Sequence, residues 1–358
     1  MESRRSAANS DRTPRRLAVC IRMSERRDIM DHLSFNGRVA IVTGAGGNPG
    51  LGRAYALYLA SRGAKVVVND LGVGPDGRGA IGTGPEQVVA EIRANGGEAI
   101  ANFDSVGDRE GAARIVKSAI DAWGRLDIVV NNAGIAPFAL FDEISDVDIE
   151  RVVGVHLMGH IWMCRAAWPH MKANNYGRLV NVSSSVSFKG LPYQSIYSAA
   201  KMGVVGLTRA LAAEGQEHGI AVNAIMPNAD TLAWQTMLSD DFSSKARARG
   251  VVPDVVAPVA AWLAHEECNF SGKILHTESG GIKEVLFATT DGTPPNPDLT
   301  LEDVARQIGT VTDRAHAVYV PDPQTSSNST YTLTPSRTTQ TPAPDRGARV
   351  PLIQLHTA

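Results

Sequence analysis

Along its middle the chain alternates short apolar runs with longer segments of helical periodicity. Val39–Val42, Ala64–Asp70, Ala99–Phe103, Leu126–Asn131, Arg178–Val182, Ile220–Ile225 and Lys273–Thr277 are compact and rich in Val, Ile and Leu. Runs apolar on both faces suit buried parallel strands. Between them, 53–62, 86–95, 109–123, 145–172, 194–214 and 256–265 carry apolar residues at helical spacing. Regular β-α alternation predicts an α/β fold: one doubly wound Rossmann-type parallel sheet of about seven strands, with helices on both faces. A last short helix is expected near 301–308, after the turn at Pro294–Pro297.

The ends differ from this middle. Residues 1–33 hold Arg4, Arg5, Arg12, Arg15, Arg16, Arg22, Arg26 and Arg27 without hydrophobic periodicity, and disorder is expected there. Translation starting at Met23 or Met30 fits this, since the folded pattern begins just after. The domain is expected over 34–316, and a disordered Thr/Ser/Pro-rich tail over 317–358. Of the whole chain, 43% is apolar and 20% charged, with a net charge of −2. That balance gives no field favouring nucleic acid or an anionic membrane. Cys20, Cys164 and Cys268 have no metal-ligand or disulfide spacing, so no metal is expected and a reducing cytoplasm is the simplest compartment. No run reaches the roughly 20 apolar residues of a membrane span.

Chemistry enters at the first strand's end. Thr43-Gly44 opens a turn with Gly46, Gly50, Leu51 and Gly52, and a helix follows. Strand, glycine turn and helix form a dinucleotide-binding unit, in which helix N–H groups meet the pyrophosphate. Asp70 ends the second strand, 18 residues beyond Gly52, where a carboxylate accepts the ribose hydroxyls. It would repel the 2′-phosphate of NADP, and no arginine follows until Arg78, so NAD is the expected cofactor and NADP the less favoured one. Leu71–Pro85 is expected to be a mobile loop on the cofactor side. Asp104 and Ser105 end the third strand, where they either reach the adenine or cap the next helix. Asn132, Ala133 and Gly134, after the fourth strand, suit a cofactor crossing the sheet. Pro227-Asn228-Ala229 forms a turn after the sixth, and Leu232–Arg249 is expected to be a substrate lid.

Ser184 stands at the carboxyl end of the fifth strand. Tyr197 and Lys201 follow, four residues apart on one helical face. A phenol titrates near pH ~10, and a cation beside it favours the phenolate. Such a tyrosine becomes a general acid/base.

With Thr43-Gly44…Gly50-Leu51-Gly52, Asn131–Gly134, Ser184, Tyr197-x-x-x-Lys201 and Pro227 in order, residues 31–290 resemble the short-chain dehydrogenase/reductase (SDR) family. A narrower likeness is to the (3R)-hydroxyacyl-CoA dehydrogenase domain of peroxisomal multifunctional β-oxidation enzymes. It rests on Gly52–Leu57, Val67–Gly72, Arg165–Met171, Tyr176–Arg178, Met226–Ala229, Trp262–Glu266 and the post-sheet segment through about Arg314. The resemblance implies an NAD-dependent oxidoreductase moving hydride between a secondary alcohol and its ketone, with a 3-hydroxyacyl-CoA as a candidate substrate. Tyr197 would be its base and Ser184 would bind the substrate oxygen. Lys201 would bind the cofactor ribose, and Pro227 would lie near the nicotinamide. Relatives pair through their two long helices, which implies a homodimer or homotetramer. Steroid or alicyclic alcohols are the alternative substrates. A non-catalytic NAD-binding regulator is the alternative of another class.

Three departures stand out. Asn48-Pro49 lengthens the glycine turn to the length seen in enoyl reductases. In those enzymes the tyrosine lies seven before the lysine, and here that position is Gln194, which excludes enoyl reduction. His156 replaces the family's helix asparagine, which holds a relay water, and Pro227-Asn228 replaces its Pro-Gly turn.

Overall fold

A computed structural model describes residues 33–74, 76–79, 84–235 and 239–323. The arginine-rich start and most of the Thr/Ser/Pro-rich tail lie outside them.

Strands β1 (Val39–Thr43), β2 (Lys65–Asn69), β3 (Ala99–Asn102), β4 (Ile128–Asn131), β5 (Gly177–Val182), β6 (Ile220–Asn228) and β7 (Ile274–Glu278) are parallel. With antiparallel β8 (Gly281–Glu284) they form one sheet in the order β3-β2-β1-β4-β5-β6-β7-β8. The chain order reverses between β1 and β4, the switch point where such sheets take ligands at their carboxyl ends.

Every residue of β1, β4 and β5 is buried, as their apolar runs require. One face carries α1 (Leu51–Ser61), α2 (Gly84–Ala94) and α10 (Ala257–Ala264), packed on Ala40, Val42, Val66, Val68 and Ile225. The other carries α3 (Arg109–Trp123) and α5 (Gly159–Ala173), packed on Val39, Ile41, Val67, Val129 and Leu179. On that face, beside β6 and β7, α7 (Ser195–Gly215) contributes Val205 and Met202 to a smaller cluster with Ala224, Met226 and Ile274. Burying each such Ile, Leu or Val stabilises the fold by about 1.5–3 kcal/mol.

Two differences from the expected elements bear on the site. The expected helix 145–172 is α4 (Asp146–Val153), then a π turn (Gly154–Met158), then α5. In the π turn the Gly159 N–H reaches back to the Gly154 carbonyl. The sheet also has an eighth strand, because Ser279 and Gly280 both take positive φ (49° and 79°) and turn the chain back. Paired positive φ makes the tight hairpin loop that matches strand twist.

The expected turn at Pro227 is part of β6, because β7 runs on beside it and pairs Pro227 with Thr277. The lid segment holds two helices, α8 (Leu232–Gln235) and α9 (Asp240–Ala248), the second capped by Ser239. Helix α11 (Leu301–Val311) starts at a Thr300–Asp303 capping box. Residues 317–323, assigned to the tail by composition, belong to the fold. β10 (Val318–Tyr319) pairs with β9 (Ala288–Thr289), Arg209 donates to the Pro321 carbonyl at 2.9 Å, and Lys273 meets Asp322 at 2.6 Å.

Candidate active site

The glycine turn leaves β1 through Gly44, at φ +64°. A Cβ on Gly44 would lie 2.6 Å from the Ala133 Cα, and one on Gly52 would lie 2.2 Å from the Gly44 carbonyl oxygen. Gly50 is as tight against the Gly47 carbonyl, at 2.4 Å. These glycines therefore let protein backbones approach one another. Helix α1 starts at Leu51 behind Gly50, with no side-chain cap and no acid in its first turn. Its first N–H groups and dipole end suit a phosphate. The lengthened turn also touches the lid: the Leu232 N–H donates to the Pro49 carbonyl at 3.0 Å.

Asp70 sits at the tip of β2. It accepts from the Gly46 and Gly72 N–H groups, each at 2.8 Å. Arg78, the next arginine, pairs with Asp148 at 2.9 Å. Asp104 pairs with Arg114 at 2.6 Å, and Ser105 Oγ accepts from the Gly107 N–H at 3.0 Å. Neither caps α3, because Asp108 does, accepting from the Gly111 N–H.

Asn132 and Ala133 clamp β4 to β1. The Asn132 amide donates to the Thr43 and Gly44 carbonyls at 2.9 and 3.0 Å. Thr43 Oγ1 accepts both the Asn132 and Ala133 N–H groups. Gly134 leaves room for a ring, since a Cβ there would lie 2.5 Å from His156 Cε1.

On the other side of the switch point Ser184, Tyr197 and Lys201 come together. Ser184 follows β5, while the other two lie on α7. The Tyr197 side chain hydrogen-bonds Ser184. Lys201 Nζ lies 5.8 Å from the Tyr197 ring centroid and donates to the Val182 carbonyl at 2.6 Å. Ser183 Oγ donates to the Lys201 carbonyl at 2.8 Å and fixes this helix turn. Pro227 lies in the next strand, β6.

The electrostatics differ from those expected for a tyrosine beside a cation. Burial raises the Tyr197 phenol above its ordinary value, and the Ser184 hydrogen bond opposes that only in part. Burial also pushes Lys201 down to about 7. Lys201 is itself desolvated and is held by the Val182 carbonyl.

Two buried histidines lie near this cluster. His156, on the π turn, packs edge-on to the Tyr197 ring at 4.9 Å and accepts the Ile135 N–H at Nε2, 3.0 Å away. Burial, with Lys201 nearby, pushes it down to about 3. His160 is held well below its ordinary value for the same reasons. His156 Nδ1 and His160 Nε2 are buried without partners.

The sequence reading passed over His160, although its four-residue offset from His156 marks it. It named Thr43 only as the start of the glycine turn, not as a clamp, and passed over two cross-strand amide pairs, Asn69–Asn102 at 2.8 Å and Asn131–Asn181 at 2.9 Å. An Asn ending each apolar run was their signal.

The profile of the family described as short chain dehydrogenase matches residues 38–237. The chain belongs to that family. Peroxisomal multifunctional enzyme type 2 of Mus musculus is 43% identical over 301 residues, 83% of this chain and 39% of the mouse protein. A short-chain type dehydrogenase/reductase of Mycobacterium tuberculosis is 42% identical over 280 residues, 78% of this chain and 96% of the mycobacterial one. The structure of full-length peroxisomal multifunctional enzyme type 2 from Drosophila melanogaster superposes with a TM-score of 0.65 at 34% identity, covering 81% of this chain and 48% of the fly chain. The chain thus spans under half of the mouse and fly multifunctional enzymes and nearly all of the mycobacterial dehydrogenase. Short-chain dehydrogenases are oxidoreductases, and none of the described helices is long and apolar enough to cross a membrane.

Proposed function

We propose that this short-chain dehydrogenase oxidises the hydroxyl of a (3R)-hydroxyacyl-CoA to the ketone with NAD, and runs the reverse reduction. The observation that carries the chemistry is Tyr197 hydrogen-bonded to Ser184, with buried Lys201 against the same ring.

The residues present fit a dinucleotide. The open first turn of α1 would take the pyrophosphate, and Asp70, held by two glycine N–H groups, would accept the adenosine ribose hydroxyls. Arg78 is engaged with Asp148, so it offers no ready partner to a 2′-phosphate, which favours NAD over NADP. Asn132, Ala133, Gly134 and Pro227 would face the nicotinamide, and Asp104 and Ser105 the adenine. Bound NAD supplies the hydride-accepting ring.

Tyr197 takes the substrate hydroxyl proton. Ser184 donates to the substrate oxygen and stabilises its developing charge. Lys201 keeps two donors beyond its bond to Val182, enough for the cofactor ribose. The narrow likeness to multifunctional-enzyme dehydrogenase domains supports the acyl-CoA substrate.

The test is turnover: purified protein, NAD, and a panel of 3-hydroxyacyl-CoAs, sterols and cyclic alcohols, followed by nicotinamide absorbance. Oxidation of the (3R)-hydroxyacyl-CoAs above all others is expected. Preference for sterols or alicyclic alcohols would replace the substrate. Tight NAD binding with no turnover would make the protein a binding module.

A further inference from the structure

Beyond the reacting groups, the carboxyl edge of the sheet carries a second charged cluster. His276 on β7 lies opposite Lys283 on β8, and beside Met226 on β6. Residues directly opposite share one face of a sheet. Met226 packs with Met202 and Val205 of α7, so this face looks toward the catalytic helix. Helix α6 (Val186–Lys189), which leads from Ser184 toward α7, ends in exposed Lys189, whose charge acts on the same imidazole. Burial holds His276 below its ordinary value. Lys189 and Lys283 push the same way, against the opposing pull of Glu278.

Among the described residues neither lysine has a carboxylate partner within ion-pair distance. Other cations of the hairpin are neutralised: Lys273 meets Glu284 and Asp322, each at 2.6 Å. Glu278, the remaining acid, accepts from Asn228 at 2.8 Å. Exposed Phe188 and Tyr193 flank Lys189 on the segment between Ser184 and α7.

The position along the strands matters. The Ser183 N–H bonds the Ile225 carbonyl, which places Ser183 and Ser184 level with Met226 and His276. Lys283 stands three strands from β5, roughly 15 Å at the usual interstrand spacing. A free cation on the reacting level, one extended arm away from the reacting hydroxyl, and a second on the short helix after Ser184 match a substrate with a distal phosphorylated handle.

The geometry points to Lys283, opposite His276, together with Lys189 on the helix after Ser184, as the docking site for the phosphate groups of a coenzyme A thioester. This inference rests on the hydroxyacyl-CoA reading. Phe188 and Tyr193 offer ring faces beside it for the adenine.

The test uses the whole protein saturated with NAD, so that the dinucleotide site is filled. Calorimetry with coenzyme A compares wild type with the double variant Lys189→Gln/Lys283→Gln. Affinity falls about tenfold, as expected for two modest exposed ion pairs, and the loss shrinks in high salt. Lys189→Arg/Lys283→Arg restores it. Where thioesters are turned over, kcat/KM for the hydroxyacyl-CoA relative to the matching pantetheine thioester falls by the same factor. Equal coenzyme A affinity in wild type and the Gln variant overturns the site, whatever turnover shows. Weakened coenzyme A binding with no thioester oxidised by wild type supports the site and overturns the hydroxyacyl reading alone.

Discussion

The two ends of one sheet treat buried charge in opposite ways. At the amino end Asp127 is fully buried and fully matched. Arg125 grips both its oxygens at 2.6 and 2.8 Å, the Val39 N–H adds a third bond, and Arg38 lies 3.3 Å away. Tyr176 is stacked against Arg38 and Arg178, at 3.8 and 4.4 Å. At the carboxyl end Lys201 is just as buried but faces a carbonyl, with two unpartnered histidine nitrogens in its surroundings. Orphaned buried atoms on Asn131, Asn228 and Thr277 lie on the last residues of β4, β6 and β7 or next to them. One end spends its polar groups on cohesion. The other leaves them unmatched, which destabilises the fold and keeps them free for chemistry.

That contrast can be broken at either end. The largest effect is expected from Tyr197→Phe, which removes the proton acceptor. Turnover should fall by about 10³-fold or more, within the range of general-base removal, while NAD affinity by calorimetry stays nearly unchanged. Substantial residual oxidation would take the role away from Tyr197.

Asp127→Ala should act oppositely, destabilising by ~3 kcal/mol in urea melts with kcat little changed, because it takes the acceptor from the buried Val39 N–H and from Arg125. A large kcat loss with unchanged stability would erase the distinction between the ends.

His156→Asn tests the cost of the unmatched end through pH. The unfolded histidine binds its proton near pH 6.5, and the folded one only near 3. Between those values the unfolded state holds more protons, so wild type loses stability as pH falls from 6.5 toward 3. At pH 4.5 that loss is ~3 kcal/mol, and His156→Asn should flatten this limb of the denaturation profile.

A smaller effect concerns Tyr197 itself. Its raised pKa keeps it protonated at neutral pH, so kcat/KM for oxidation should climb by up to tenfold per unit between pH 7 and 9. A plateau below pH 8 would show the phenol to be depressed in the working complex.

The smallest expected change is Asp70→Ser. Removing the carboxylate should narrow the NAD preference over NADP about tenfold, measured as a kcat/KM ratio, with thermal stability almost unmoved.

How much of this was legible depended on burial. Helix α3 covers the predicted 109–123 because its inner face is continuously apolar and Asp108 caps it. The parallel strands were visible for the same reason. β8 was not, since all its residues are exposed and its Gly-Ile-Lys-Glu carries no apolar run. The positive φ at Ser279 belongs to a residue type that gives little warning of it. In the site, spacing and order named Ser184, Tyr197 and Lys201, which the structure brings together. Their electrostatics were not, because desolvation is a property of the packed interior. The helix 145–172 was read as regular because apolar periodicity hides one wide turn.

That wide turn at Gly154–Met158 sets a phase for everything after it. Each residue of an α-helix advances the face by about 100°. The extra residue accommodated there lets His156 meet Tyr197 while Met163, Cys164, Ala167 and Met171 still point into the core. A single-codon deletion within it would rewind the segment into plain α-helix and swing the downstream face out of register. This stretch of the coding sequence should therefore tolerate changes of letter far better than changes of length.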